Sequence, residues 1–259
     1  STDIITLIKE KNIPCYVGNP RNGKAYNFIK NIKIDVIVSI NYLFLLENDI
    51  ISHPQKLIFN IHGSLLPKYR GRTPHVWAII NGENKAGITA HVLDEGCDTG
   101  KIIEQIEVSI EHEDTGATIL KKYEELYFPL VKKVLENIEK DNLKLQEQNH
   151  EEATFYGKRT PSDGLINWNA TKEEIRNWIR AQAYPYPGAF TFYESEKIII
   201  DKARIVDFLE YNKYENGEII SLESGVVVKT KNGALNLIKF RKEKTTFSVG
   251  KRFHNEDRN

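Results

Sequence analysis

Methionine is absent from all 259 residues, and cysteine occurs only twice, as Cys15 and Cys97. Two thiols so far apart, in different expected elements, exclude a disulfide framework and a cysteine-ligated zinc site, and they suit a reducing cytoplasm. No pair of histidines or cysteines has a metal-ligand spacing, so no metal is expected. No apolar run approaches the ~20 residues that span a bilayer, which leaves no membrane partner in view. Charge of one sign is lacking too. The 36 Lys and Arg residues offset 36 Asp and Glu, so nothing pulls the whole chain toward nucleic acid or an anionic surface, although a local patch stays open. Internal repeats and low-complexity tracts are also missing. What remains is an ordinary apolar fraction of 40%, enough for one large domain or two smaller ones.

The chemistry concentrates in residues 57–103. A short apolar run, Leu57 to Phe59, reads as a buried strand whose end releases Asn60 and His62, two apart and so on one face of an extended chain. Gly63 and Pro67 then end the regular structure, placing the polar pair where a strand gives way to a loop, a common ligand position in open α/β sheets. A second loop, Asp94 to Gly100, supplies Asp98 between Cys97 and Thr99. Alone, Asn60 reads as a strand-end cap, His62 as a structural histidine and Asp98 as a turn former. Together they can run acyl or formyl transfer. The Asn60 amide and a protonated His62 would stabilise the growing oxyanion, while Asp98 orients the imidazole and helps move the amine proton. Cys97 beside the acid could be a reactive thiol, but with no base assigned to it packing is the simpler role.

These residues carry a resemblance. NIHGSLLPKYRG followed by DEGCDTG resembles the folate-dependent formyltransferases, whose Asn-x-His and Asp-Thr-Gly elements correspond to Asn60, His62 and Asp98, the family's catalytic trio. SLLPKYRGRTPHVWAIINGE is similar to methionyl-tRNA formyltransferases and to nucleotide-sugar formyltransferases, and GKRTPSDGLINWN and AYPYPGAFTF look like the same branch. The resemblance implies N10-formyltetrahydrofolate as donor, with folate contacts from Leu43, Phe44, Leu45, Asp94, Glu95 and Gly96. It also implies a strand, a helix and a second strand ahead of the helix near Ser1. With no initiator methionine, about the first third of the Rossmann-like domain is therefore expected to precede Ser1.

In chain order, Ser1, Thr2 and Asp3 offer capping oxygens to a helix ending near Asn12, and Ile13 to Val17 reads as a short strand. Ala25, Phe28, Ile29 and Ile32 form a helical stripe, and Asp35 to Ile40 reads as a parallel strand covered on both faces. The following NYLFLL reads either as a buried helix or, by resemblance, as pterin-pocket wall. Thr73 and Pro74 resemble an N-cap and N1 pair, and Ala86 to Leu93 and Lys101 to Ile110 alternate as neighbouring strands. A long amphipathic helix from Thr115 buries Leu120, Tyr123, Tyr127, Leu130, Val134 and Ile138, with a kink expected at Pro129. Residues 146–154 are polar and aperiodic, the best linker. Beyond them, a T-x-x-E capping box at Thr171 to Glu174 opens a helix, and five short strands from Ala189 to Phe240 suggest a barrel.

The expected fold class is therefore α/β. A Rossmann-like, mostly parallel sheet in a catalytic domain (1–150) precedes a small β-rich, barrel-like domain (151–259). The tail could grip phosphate through Lys239, Arg241, Lys242, Lys244, Lys251 and Arg252, but a solvated strand face is the simpler reading. The expected reaction is formylation of a nucleotide-linked amino sugar, with Arg70 and Arg72 as diphosphate contacts or, alternatively, as loop-stabilising side chains. A methionyl-tRNA acceptor, hydrolysis of the formyl-folate, and folate binding without turnover are the alternatives. The oligomeric state is left open, a homodimer included.

Overall fold

The computed structural model describes residues 4–42, 44–208, 210–241 and 245–255. The first half comprises α1 (Ile4–Glu10), α2 (Lys24–Ile29), β1 (Val36–Ile40), α3 (Asn48–Ile51), β2 (Leu57–His62), β3 (Arg70–Gly71), α4 (Pro74–Ile80), β4 (Lys85–Val92), β5 (Ile102–Ser109) and α5 (Gly116–Glu139). Four strands form one sheet in the order β1-β2-β4-β5. β1 runs parallel to β2, whereas β2–β4 and β4–β5 are antiparallel. The expected α/β architecture is present, with mixed rather than mostly parallel strands over these residues. For β4 and β5 the reason is local: the connection 93–101 has no helix and is too short for the crossover a parallel pair requires.

α5 begins with a capping box in which Thr115 and Thr118 bond each other's backbone N–H, and it continues through Pro129. Its inner face carries Ile119, Tyr123, Leu130 and Val134, which join Phe59 of β2 and Ile88 of β4 in a core closed to solvent. Each such aliphatic or aromatic side chain contributes about 1.5–3 kcal/mol on burial, so β2 is a rigid platform. Residues 13–17, expected as a strand, form none, and Ile13 and Val17 stay exposed. A strand needs a neighbour for its backbone N–H and C=O groups, and no described strand pairs with this segment. α2 likewise ends before Ile32.

The second half comprises β6 (Phe155–Tyr156), α6 (Lys172–Ala181), β7 (Ala189–Tyr193), β8 (Glu196–Val206), β9 (Ile219–Ser221), β10 (Val226–Thr230), β11 (Gly233–Phe240) and β12 (Phe253–His254). The last six form one antiparallel sheet ordered β12-β7-β8-β11-β10-β9, and a bridge between Glu218 and Arg252 brings its two edges together into a nearly closed barrel. The expected box caps α6: Thr171 Oγ1 accepts from the Glu174 N–H, and Glu174 accepts from the Thr171 N–H at 2.8 Å. Such a cap is worth about 1 kcal/mol. α6 packs on β8 and also on α4, so it ties the barrel to the first sheet.

Candidate active site

β2 lies between β1 and β4, and its carboxyl end opens into a cleft of about 1010 Å³. Asn60, His62 and Asp98 all line this cleft, although Asp98 comes from the distant β4–β5 loop. The loop is anchored. Asp98 adopts a left-handed backbone (φ +56°), and its Oδ2 accepts the Gly71 N–H at 2.9 Å. From behind, Gln148 Nε2 donates to the carbonyls of Asp98 and Gly100 at 3.0 and 2.7 Å. The segment 146–154, expected as a linker, is therefore anchored at Gln148, the buried residue in an otherwise largely exposed stretch.

His62 is held through one ring nitrogen and faces a carboxylate with the other. Nε2 donates to the Tyr69 carbonyl at 2.8 Å, and Nδ1 faces Asp98 Oδ1 at 3.5 Å. Burial is the largest influence on the ring and lowers its pKa; Asp98 and the Tyr69 carbonyl oppose it without cancelling it, so the ring favours its neutral form. Burial pushes the Asp98 carboxyl up, but hydrogen bonding, the Gly71 N–H included, outweighs it and holds the group well below the usual carboxylate range. Asn60 Nδ2 donates to His91 Nε2 at 3.2 Å. The Cys97 thiol points at Asp98 Oδ2 at 3.5 Å, and burial followed by the Asp98 charge raises its pKa, which disfavours a reactive thiolate.

Of the expected folate contacts, Phe44, Leu45, Asp94 and Gly96 line the cleft, and Leu43 lies outside the described residues. The described residues of NYLFLL, 41–42 and 44–46, form no helix. Asp94 Oδ1 accepts from the Gly96 N–H and from Thr99 Oγ1, which closes the loop on itself. Glu95 points elsewhere and accepts from Asn48 Nδ2 at 2.8 Å. The two arginines part company. Arg72 lines the cleft, whereas Arg70 is 2% exposed, with Nη2 donating to Gln148 Oε1 at 2.6 Å and meeting His150 Nδ1 at 3.1 Å. Its guanidinium also lies over the Phe155 ring, so Arg70 has the loop-stabilising surroundings weighed as the alternative.

Sequence reasoning missed His75, His91, Gln148, Arg159 and Tyr186. His75 Nε2 shares a hydrogen bond with the Tyr186 hydroxyl at 2.7 Å, joining α4 to the loop before β7, and burial brings its pKa down to about 4. Arg159 is stacked over Trp77 and Trp178 and donates to Gln182 Oε1 at 2.8 Å. It lines the cleft with Lys158, from the GKRT stretch. Alternation along β4 could have singled out His91, which shares a face with Thr89; nothing local marked the others. The tail is mostly paired where described: Arg241 with Asp201 at 2.8 Å, Lys251 with Glu194 at 3.8 Å, and Arg252 with Glu215. Lys242 and Lys244 lie outside the described residues.

The arrangement is an amide donor, a neutral imidazole and a carboxylate around one strand end, in a cleft that both apolar side chains and cations line. Comparison with known proteins adds to it. A formyl transferase family model matches residues 6–135, and a formyl transferase C-terminal domain model matches residues 158–258. The sequence is 35% identical over 233 residues to the bifunctional polymyxin resistance protein ArnA of Wigglesworthia glossinidia brevipalpis, covering 89% of this chain and 35% of that protein. The chain thus spans about a third of the length of this curated relative. Among solved structures, WlaRD, a sugar 3N-formyl transferase determined with dTDP and 5-N-formyl-THF, superposes with a TM-score of 0.66 at 25% identity over 86% of each chain. An N-formyltransferase from Helicobacter canadensis, in complex with folinic acid and dTDP-3-aminofucose, gives a TM-score of 0.62 at 26% identity over 77% of this chain and 71% of that one.

Proposed function

The chain belongs to the formyl transferase family, and from that premise we propose that it moves a formyl group from N10-formyltetrahydrofolate to the amine of a nucleotide-linked amino sugar. The observation that carries the reading is the convergence of Asn60, His62 and Asp98 in one cleft, from strand β2 and the β4–β5 loop. Phe44, Leu45, Leu46 and Leu93 give that cleft an apolar arm suited to a flat pterin, with Asp94 and Gly96 at its edge. The donor supplies an electrophilic formyl carbon.

As the acceptor amine attacks, a C–N bond forms, the bond from carbon to N10 breaks, and one amine proton must reach N10. An Asn60 N–H stabilises the formyl oxygen as charge grows on it. His62 has its Nε2–H tied to the Tyr69 carbonyl, so its Nδ1 lone pair takes the amine proton. Asp98, 3.5 Å away, stabilises the imidazolium that results, and the proton then passes to N10. His62 is thus a proton carrier rather than a resting cation, because burial favours the neutral ring.

Arg72, Lys158 and Arg159 also line the cleft and supply cations for a diphosphate. The two nucleotide-bound sugar-formylating relatives, and the carboxylates facing the tail cations, favour a small anionic acceptor over tRNA. The test is an assay with formyl-folate donor against a panel of nucleotide-linked amino sugars and charged initiator tRNA. A sugar should be formylated, with the logarithm of acceptor affinity falling against that of salt with a slope of about 2, not the 6 or more of a protein holding many phosphates. Efficient formylation of the tRNA with a steep slope would overturn the sugar reading.

A further inference from the structure

The Asn60 amide has a partner that no motif marks. His91, 1% exposed near the end of β4, stands directly opposite Asn60 in the β2–β4 ladder. Its Nδ1 lies 2.9 Å from the Val92 carbonyl oxygen and its Nε2 lies 3.2 Å from Asn60 Nδ2. A carbonyl oxygen only accepts, so Nδ1 carries a hydrogen, and in the neutral ring the lone pair then sits on Nε2. An amide nitrogen has two N–H groups. One is taken by that lone pair, which decides which end of the amide is nitrogen and leaves the second N–H for the cleft that Asn60 lines. Without this acceptor the amide could turn its oxygen inward and present a lone pair where a growing oxyanion needs a donor. Asp98 Oδ1 also approaches His91 Nε2, but at 3.5 Å it lies farther off than the amide nitrogen at 3.2 Å and brings lone pairs of its own, while the Gly71 N–H is taken by the other carboxylate oxygen, Oδ2.

We propose that His91 is a positioning residue for formyl transfer, a buried acceptor that fixes the Asn60 amide with its free N–H toward the formyl oxygen. The inference rests on Asn60 acting as the oxyanion donor. It is tested in the full chain with His91→Leu, His91→Gln, Asn60→Ala and the double variant Asn60→Ala/His91→Leu. Leucine fills the space without accepting, whereas a glutamine Oε1 can accept from the amide. His91→Leu should lower kcat by about 10²-fold, the cost of one oxyanion donor, with both KM values within about twofold of wild type. His91→Gln should recover most of that loss, and the double variant should fall no further than Asn60→Ala alone, since His91 acts through Asn60. Nitrogen-15 NMR of the wild-type ring should find hydrogen on Nδ1 and none on Nε2. Loss in Asn60→Ala with near-normal kcat in His91→Leu, additive losses in the double variant, or hydrogen on Nε2 would overturn the inference alone. Full activity in Asn60→Ala would overturn the oxyanion role of Asn60 and the inference with it.

Discussion

His75 offers a quantitative check on the cleft wall. The ring is 8% exposed, on the first turn of α4, and shares a hydrogen bond with the Tyr186 hydroxyl at 2.7 Å. Burial lowers its pKa from 6.5 to about 4, so between those values the unfolded chain binds a proton that the folded chain refuses. Stability follows the protons: the contribution is intact above pH ~6.5, is lost as pH falls toward ~4, and levels off below that. At about 1.4 kcal/mol for each pH unit, His75 alone should cost roughly 3 kcal/mol by pH 4. Other groups also weaken the fold in acid, the depressed Asp98 carboxyl among them, so the measurement is a difference. Urea unfolding of wild type and His75→Gln at pH 7, 6, 5 and 4.5 should show a constant offset near neutrality and a smaller acid loss in the variant. By pH 4.5 the wild type should have lost about 2–3 kcal/mol more than the variant. Parallel stability profiles with equal m-values would refute the buried, neutral imidazole.

Gly71→Ala should be costly twice over. An added Cβ would sit 2.3 Å from the Tyr156 carbonyl at φ +98°, so about 2 kcal/mol or more of stability should go. Because the Gly71 N–H holds Asp98, kcat should fall as well; an alanine variant with unchanged unfolding midpoint and rate would contradict both. His62→Ala and Asp98→Asn should each reduce kcat by about 10²- to 10⁴-fold as proton transfer fails, with native circular dichroism. A His62→Ala enzyme that keeps its rate at saturating acceptor would remove the ring from the mechanism.

Sequence alone determined the local half of this protein. The two-residue spacing of Asn60 and His62 put both at one strand end because alternation is a property of any extended chain. The Thr171 and Glu174 box was legible because its two hydrogen bonds close within one helical turn. The antiparallel strands from Ala189 onward were legible from alternation and turn residues. Tertiary structure decided the rest. His91 meets Asn60 across a ladder, Gln148 reaches Asp98 from a segment that composition marks as a linker, and Tyr186 crosses to His75 from the barrel side. Arg70 and Arg72 are equivalent in the sequence, yet one is buried on Gln148 and the other lines the cleft. The strand expected at residues 13–17 fails for the same reason: a side chain's alternation is written locally, but a hydrogen-bond partner is supplied only by whatever the packed chain brings alongside.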